Sequence, residues 1–322
     1  MRSIFTAILA LSVASFSSSA PTLSAEDPPA WAYPVNPPDF KPRPDDGILR
    51  RVPGSSATYS VTQLRDRFIA PVWHPGDHPP LPEIVAQGRK PNVFACGFCH
   101  REDGPGGPEN ANLAGLPPAY IVQQMADYKT GARKSSVPTR GPIALKISLS
   151  KDITDTEVQA AALYFSALKP RANISVVETD TVPKTFVAGW FLAASNSGEK
   201  EPIGQRIIEV PEDLEQFENR DPRSQFIAYV PIGSIAKGAA LVSTGGEGKT
   251  LQCAICHGQD LKGLGGIPSI VGRSPSYVLR QLNDIQTGAR AGMAAQLMKA
   301  TVVNLTVDDM VSIAAYLASQ TP

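Results

Sequence analysis

The chain has 322 residues, of which 42% are hydrophobic and 19% are charged, and its 30 basic and 30 acidic side chains cancel at pH 7. This length exceeds one average domain, so we expect two modest hydrophobic cores. A chain without net charge gives no argument for nucleic-acid binding or for strong long-range electrostatic steering.

The N-terminus predicts a secretory signal peptide over residues 1–25. Met1-Arg2 precedes an apolar run over 4–16, and a small, polar stretch follows and ends at Ala25. The run is too short to span a bilayer comfortably, and small residues precede the expected cleavage point. We therefore expect a periplasmic protein with no transmembrane segment after signal removal; an uncleaved N-terminal anchor is the alternative.

Residues 26–81 form a proline-rich segment with little regular periodicity. Because proline interrupts helices and central strands, we expect an extended N-terminal arm laid over the folded part of the chain. A short helix is expected only over 60–68, capped by Ser60 or Thr62.

From 82 to 170 the pattern is helical. A short helix is expected at 83–89, and apolar residues recur on one face of a helix over 120–129. Thr154 with Glu157 three residues later is a capping box, which begins a largely buried helix over 158–168.

Residues 171–233 break this pattern. Val and Ile alternate with other residues at 206–210 and 225–230, so we expect short strands or extended segments there. The segment carries a formal charge of −4, and we interpret it as a solvated connector that touches both of its neighbours.

The last segment, 234–322, repeats 82–170. A shift of 157 positions superposes the two copies without a gap as far as Arg133 and Arg290, and a shift of 152 superposes the rest because the first copy has five extra residues. Paired residues include Tyr120 with Tyr277, Gln124 with Gln281, Asp127 with Asp284, Thr154 with Thr306, and Tyr164 with Tyr316. Such self-similarity indicates an internal duplication.

The motif C-x-x-C-H occurs once in each copy and uses all four cysteines, which are Cys96, Cys99, Cys253 and Cys256. Two thiols at this spacing reach the two vinyl groups of a porphyrin, and the adjacent His100 or His257 offers an imidazole nitrogen to the iron. Thioredoxin-like redox pairs and zinc sites also use C-x-x-C. No βαβ pattern surrounds these motifs and no second histidine follows at short spacing, so the sequence predicts two covalently bound haem c groups.

Each copy resembles a class I cytochrome c domain in its C-x-x-C-H motif, glycine-rich loop, Tyr-bearing helix ending in Gly-Ala-Arg, and final capped helix. The tandem arrangement is similar to the bacterial dihaem cytochromes c of the c4 and c553-like group. This resemblance implies a mainly α fold, with two helical domains at 82–170 and 234–322 joined by an extended or short-strand connector. It also implies an electron carrier with redox protein partners.

The resemblance further implies the iron ligands of the second copy. His257 would be the proximal ligand, and Met298, in the expected loop before the last helix, the sixth ligand; Met293 is its rival. The carbonyl of Pro268 would hold the other ring nitrogen of the histidine. The haem edge and propionates would be reached by Tyr277 and Arg290, and by their counterparts Tyr120 and Arg133.

The first copy departs from the family because Lys146 stands at the place of Met298. A free lysine amine could bind iron, although removing its proton at pH 7 costs roughly 4–5 kcal/mol. His78 or, less readily, His74 could come from the arm, and Met125 could bend in from its helix. An open or water-bound site is the fourth alternative.

Three functions remain open. The leading hypothesis is an exported electron carrier, because one haem has a full ligand set and no acid–base constellation adjoins either motif. A haem enzyme such as a peroxidase would use the first haem as its reactive centre. A cytochrome subunit docked to a dehydrogenase would use the arm and the connector as its contact surface.

Overall fold

The computed structural model describes residues 27–322, and the predicted signal peptide lies outside the described residues. Within the described part, the chain forms a proline-rich arm, a first group of helices, a β-rich connector and a second group of helices.

The arm and the first helical group contain six α-helices, preceded by a single 3-10 turn at Ala30–Ala32. Their bounds are α1 (Val61–Arg65), α2 (Glu83–Ala86), α3 (Cys96–His100), α4 (Pro118–Thr130), α5 (Gly141–Asp152) and α6 (Asp155–Ala167). The short helix expected in the arm is α1, and Ser60 rather than Thr62 caps it. The capping box at α6 is confirmed, because Thr154 and Glu157 each bond the other's backbone N–H.

The connector is a β structure with one short helix. Its elements are β1 (Ile174–Glu178), β2 (Thr181–Pro183), β3 (Thr185–Val187), β4 (Leu192–Ala194), β5 (Lys200–Pro202), β6 (Ile208–Pro211), α7 (Leu214–Glu218) and β7 (Phe226–Val230). Strand β7 lies between parallel β1 and antiparallel β6, while β2 pairs with β5 and β3 with β4. The prediction of short strands is confirmed, and the description "mainly α" therefore holds only for the two helical groups.

The second helical group has five helices. They are α8 (Ser234–Thr244), α9 (Ala254–His257), α10 (Pro275–Gln286), α11 (Met293–Val302) and α12 (Val307–Ser319). Helix α12 packs against α8 and α10. The crossing of α8 and α12 is close at Gly238, where an added Cβ would lie 2.0 Å from the carbonyl oxygen of Ser312. The leading helix α8 has eleven residues, whereas its counterpart α2 has only four.

The prediction that Met298 lies in a loop is wrong, because Met298 lies in helix α11. Its counterpart Lys146 lies in helix α5. Both segments contain several good helix formers, Leu and Lys in α5 and Ala, Met and Leu in α11, and a glycine lies at or just before each start. A helix fixes the spacing of neighbouring side chains more tightly than a loop does.

Two main hydrophobic cores lie in the helical groups. The fully buried members of the first core all come from residues 84–168. The second core also takes Tyr33 from the arm, and Ile207 and Val230 from the connector. The arm therefore reaches the second helical group, where the Tyr33 hydroxyl donates to Asp284 at 2.8 Å.

Among residues 27–322, no single helix is long and apolar enough to cross a bilayer. Helices α11 and α12 have the length and composition of a span only as a pair bent by 112°.

Candidate haem sites

Both motif histidines are buried and identically oriented by a backbone carbonyl. His100 Nδ1 lies 2.8 Å from the carbonyl oxygen of Ala111, and His257 Nδ1 lies 2.8 Å from that of Pro268. Ala111 and Pro268 are repeat partners, and a proton on each Nδ1 leaves Nε2 free to bind a metal. Burial, and next the charge of Lys146, lowers the pKa of His100 to about 3, and burial lowers the pKa of His257. Both imidazoles are therefore neutral, as a metal ligand must be.

Lys146 is the side chain that meets His100. Its Nζ lies 3.3 Å from Nε2 of His100, the ring nitrogen that does not face the carbonyl of Ala111. His78 does not line the cavity at this histidine; its Nδ1 lies 2.9 Å from the carbonyl oxygen of the next residue, Pro79. His74 is buried against Asp221 at 3.0 Å. Of the lysine and the two arm histidines, the structure brings only Lys146 to the motif.

In the second copy, Met298 lies on α11 and lines the same cavity as His257. Its rival Met293 is 78% exposed and does not line that cavity. Met125, on α4, also lines the cavity, on the side of the first copy. We call the groups around His100 and Lys146 site 1, and those around His257 and Met298 site 2.

One cavity of about 380 Å³ reaches from site 1 to site 2. It is lined by both motif histidines, Lys146, Met298, Tyr120, Tyr277, Arg133, Arg290, Pro268, Cys253 and Cys256. Cys96 lines a smaller neighbouring cavity with His100 and Lys146, while Cys99 lines neither. Except for Cys99, His74, His78 and Met293, the candidate site residues thus surround one continuous space or its neighbour.

The cavity wall has more positive charge than its carboxylates can balance. Five arginines line it, namely Arg133, Arg140, Arg273, Arg280 and Arg290, against the carboxylates of Glu109 and Asp284. The Nε atoms of Arg140, Arg273 and Arg290 are buried and have no hydrogen-bond partner among residues 27–322. Burial, then the neighbouring Arg280, lowers the pKa of Arg140 to about 9, and burial lowers that of Arg273 to about 10. This donor set fits a ligand with several carboxylates, such as the propionates of two haem groups.

The two copies bind each other through a reciprocal hydrogen-bond network. Arg133 donates to the Tyr277 hydroxyl at 3.0 Å and to Gln281 at 2.8 Å. Arg290 donates to the hydroxyl of Tyr120 at 3.0 Å and to Gln124 at 2.9 Å. Each guanidinium also bonds the glutamine of its own copy, at 2.7 Å and 3.2 Å. These four predicted haem-environment residues therefore also form the contact between the copies.

Several residues of the cavity wall were not predicted from the sequence. Arg140, Arg273 and Arg280 lie outside the motifs, and Arg280 donates to the carbonyl oxygen of Ala32 at 2.9 Å. The sequence offers one signal for these arginines: Arg273 directly follows Gly272, which the repeat pairs with Gly115.

Comparisons with known proteins find relatives among the cytochromes. No protein-family model matches the chain. The chain is 38% identical over 76 residues to cytochrome c-554(548) of Halomonas halodenitrificans, which covers 23% of this chain and 92% of that protein. It is 25% identical over 233 residues to a thiosulfate dehydrogenase electron acceptor of Thiomonas intermedia, covering 71% of this chain and 80% of that protein.

Among solved structures, reduced cytochrome c4 from Pseudomonas stutzeri matches with a TM-score of 0.45 and 20% identity, covering 70% of this chain and 93% of that one. The relationship to cytochrome c-554(548) spans nearly the whole of that protein, and both attachment motifs have an oriented, buried histidine. The chain therefore belongs to the class I cytochromes c and is an electron-transfer cytochrome with two covalently bound haem c groups.

Proposed function

We propose that this cytochrome is a periplasmic electron carrier with two unequal sites, built from two cytochrome c domains at 82–170 and 234–322. The 26–81 arm and the 171–233 connector would join and cover them. Two separate hydrophobic cores support this division, since the fully buried members of the first core all lie between residues 84 and 168. The export signal predicted at 1–25 supports the location, because haem c is attached on the exported side of bacterial membranes.

At site 2, His257 and Met298 are the residues that would bind the iron of the haem. Burial keeps the imidazole neutral, and the carbonyl of Pro268 orients it through Nδ1. A thioether is a soft, neutral ligand that favours the ferrous state, so this pair suits a high reduction potential.

At site 1 we assign His100 and Lys146, and the observation that carries the proposal is the 3.3 Å between His100 Nε2 and Lys146 Nζ. When bound, each haem c supplies an iron that cycles between ferrous and ferric states and so holds one electron. An amine nitrogen stabilises the ferric state more than a thioether does. We therefore expect site 1 to have the lower reduction potential.

The position of Lys146 also favours a carrier over a haem enzyme. A peroxidase needs an open sixth position for its substrate, whereas the amine of Lys146 lies opposite the imidazole of His100. No acidic or basic side chain other than Lys146 lies within hydrogen-bond distance of His100 Nε2 among the described residues.

The donor of electrons is proposed to be a dehydrogenase. Two relatives that are 25% identical to this chain are named electron acceptors of thiosulfate dehydrogenase, and this chain covers 80% and 82% of them. The similarity to these electron acceptors fits a permanently docked dehydrogenase as well as a freely diffusing one.

The test is a potentiometric titration of the intact protein, followed by optical and spin-state spectroscopy with and without carbon monoxide. We expect two separated one-electron steps, two low-spin sites and no carbon monoxide binding at neutral pH. Rapid carbon monoxide binding at one site would instead favour the haem enzyme.

A further inference from the structure

Arg101 stands at a position where the second copy of the repeat has a glycine. Its counterpart, at the shift of 157, is Gly258. Both residues directly follow the motif histidine and share one backbone conformation, with φ 65° and ψ 162° at Arg101 and φ 82° and ψ 159° at Gly258. This region of φ and ψ is populated almost only by glycine. The first copy therefore holds an arginine beside His100 at a cost in backbone energy that a glycine would avoid.

The side chain of Arg101 is buried and weakly paired. It is 2% exposed, and its guanidinium carbon lies 4.9 Å from the centroid of the Phe217 ring in the connector. Its Nε and Nη1 atoms have no hydrogen-bond partner among the described residues. The one ion pair that it forms within residues 27–322 is with Glu109, whose Oε1 lies 3.8 Å from Nη2, too far for a hydrogen bond. A positive charge is thus held beside the motif without a close counter-ion.

A second guanidinium, that of Arg220 in the connector, lies against the same motif. Its carbon atom is 3.6 Å from the centroid of the Phe98 ring, and its Nη1 donates to the carbonyl oxygen of Phe98 at 3.0 Å. Its Nε donates to the carbonyl oxygen of Leu64 in the arm at 2.7 Å. Both bonds therefore end on neutral carbonyl groups. Burial, and next the charge of Arg101, lowers the pKa of Arg220 to about 9, so the guanidinium is still charged at pH 7.

Neither guanidinium belongs to the cavity between sites 1 and 2. Arg101, Arg220 and Phe217 line neither that cavity nor its smaller neighbour. Their surroundings come from the chain itself, since Phe217 packs against Gly107 so closely that an added Cβ there would lie 2.8 Å from the ring. The two charges are therefore enclosed by the connector, the arm and the motif, independently of the group that fills the cavity.

The second motif has no equivalent of these two charges. Gly258 takes the place of Arg101, and Ile255, which has no aromatic ring, takes the place of Phe98. Arg220 belongs to the connector, which lies outside the duplication. The pair of guanidiniums is thus a property of the first site alone.

A positive charge close to a haem favours the oxidation state of the iron that carries less positive charge. Ferric iron carries one positive charge more than ferrous iron, so a nearby guanidinium destabilises the ferric state and raises the reduction potential. The effect is larger in a protein interior than at the surface, where water and ions screen the charge. Exclusion of water from the motif acts in the same direction, because it removes solvation of the more highly charged ferric state.

Three carboxylates close to the first motif in sequence act in the opposite sense. They are Glu102, Asp103 and Glu109. Asp103 is paired with Arg171, and Glu109 is the distant partner of Arg101. All of these groups remain when Arg220 alone is changed, so a substitution of Arg220 isolates the effect of one positive charge.

We propose that Arg101 and Arg220 raise the reduction potential of site 1 and thereby narrow the difference between the two sites. This inference rests on the proposed electron-carrier function, in which an amine ligand gives site 1 the lower potential. A smaller difference allows an electron to pass between the sites in either direction.

The test is potentiometry at pH 7 of the full-length cytochrome with both haems attached. The sulfur-to-iron band follows site 2, so the other one-electron step belongs to site 1. Arg220→Met removes the charge and keeps an apolar side chain against Phe98. It should weaken the reduction of site 1 relative to site 2 about tenfold, which is about 59 mV for one electron. Arg51→Met, at an exposed arginine, is the control and should change neither potential, because solvent screens its charge.

Two further variants separate charge from packing. Arg220→Lys keeps the charge but loses the planar group that stacks on Phe98, and it should change the ratio by less than about threefold. Arg101→Gly installs the residue of the second copy in a conformation that glycine adopts without strain, so the fold should persist. It should shift site 1 in the same direction as Arg220→Met, with the low-spin spectrum of site 1 retained.

Unchanged potentials in both Arg220→Met and Arg101→Gly would overturn the proposal. Equal shifts in Arg220→Met and Arg220→Lys would also overturn it, since packing rather than charge would then be responsible, and so would equal shifts at the two sites. The wild-type titration keeps the two ideas apart. Two low-spin haems that titrate in separate steps, with no response to the arginine substitutions, would refute only the effect of the guanidiniums. A wild-type protein with a haem open to carbon monoxide would refute the electron-carrier assignment itself.

Discussion

Arg133 and Arg290, which are equivalent residues of the two repeats, pair with each other between the copies. Their backbones form an antiparallel bridge, flanked by a bond from Lys134 N–H to the carbonyl oxygen of Ala289 and one from Ala291 N–H to that of Ala132, both at 2.7 Å. Each guanidinium reaches into the other copy, so the same two residues join the domains and line the shared cavity. The geometry of the two sites therefore depends on one small interface.

Arg133→Ala should lower the free energy of unfolding by about 3 kcal/mol. The side chain is 5% exposed and makes three hydrogen bonds, to Gln124, Tyr277 and Gln281, and loss of bonds to a buried charge costs roughly 1.5–3 kcal/mol. Urea unfolding followed by far-UV circular dichroism measures this. Lys184→Ala, which removes an exposed pair with Glu199, is the control and should change stability by less than about 1 kcal/mol. Equal losses in the two variants would contradict the role of the interface.

Lys146→Met should give site 1 the ligand set proposed for site 2. We expect the amplitude of the long-wavelength sulfur-to-iron band to double and the lower of the two reduction potentials to rise, because a thioether replaces an amine. Lys151→Met on the same helix is exposed and should leave both measurements unchanged. An unaltered spectrum in Lys146→Met would refute lysine ligation.

Met298→Ala should abolish the long-wavelength sulfur-to-iron band that the wild-type protein shows, and should lower the higher of the two reduction potentials. Met293→Ala is the matched control, since Met293 lies on the same helix and is 78% exposed. The absorption spectrum of the ferric protein decides whether Met298 or Met293 is the ligand. Loss of the band in the Met293 variant instead would reverse the assignment.

The sequence predicts most of this site because the chemistry is local. C-x-x-C-H places cysteines and histidine within one helical turn, and the repeat carries the Tyr, Gln and Arg residues of the interface. The pairing of Arg133 with the other copy's Tyr277 could not be predicted, because periodicity within one copy says nothing of how two copies meet. Arg220 of the connector donates to the carbonyl oxygen of Phe98 in the first motif, a contact between residues 122 positions apart in sequence. Such long-range packing leaves no local pattern.

Gly238→Ala should destabilise the second domain by about 3 kcal/mol. The new Cβ would lie 2.0 Å from the carbonyl oxygen of Ser312 and 2.7 Å from the Cβ of Tyr316, so α8 and α12 must separate. This outweighs the gain of about 1 kcal/mol that alanine brings to a helix interior. Thermal unfolding measures the loss. Gly76→Ala, where nothing lies within 4 Å of the added atom, should be nearly neutral, and equal melting temperatures for the two variants would argue against a close helix crossing.

The stability of the first domain should depend on pH through Glu157. The hydrogen bond from Arg89, together with the capping bonds of Thr154, lowers the pKa of Glu157 to about 2. A carboxylate whose pKa is lower in the folded state stabilises the protein above its unfolded pKa of about 4.3 and loses that effect as the pH falls toward 2. Because the pair with Arg89 lies near the surface, we expect a contribution of about 1 kcal/mol at pH 7.

Glu157→Gln should therefore lower the free energy of unfolding by about 1 kcal/mol at pH 7 and by less than half of that at about pH 3. The amide can still accept a bond from the backbone N–H of Thr154, so the comparison isolates the charge. Urea unfolding at the two pH values measures the difference. Glu199→Gln, at a side chain that is 61% exposed in its pair with Lys184, is the control and should change the free energy of unfolding by less than about 1 kcal/mol at either pH. A Glu157→Gln effect of the same size at both pH values would mean that the cap, rather than the charge, stabilises α6.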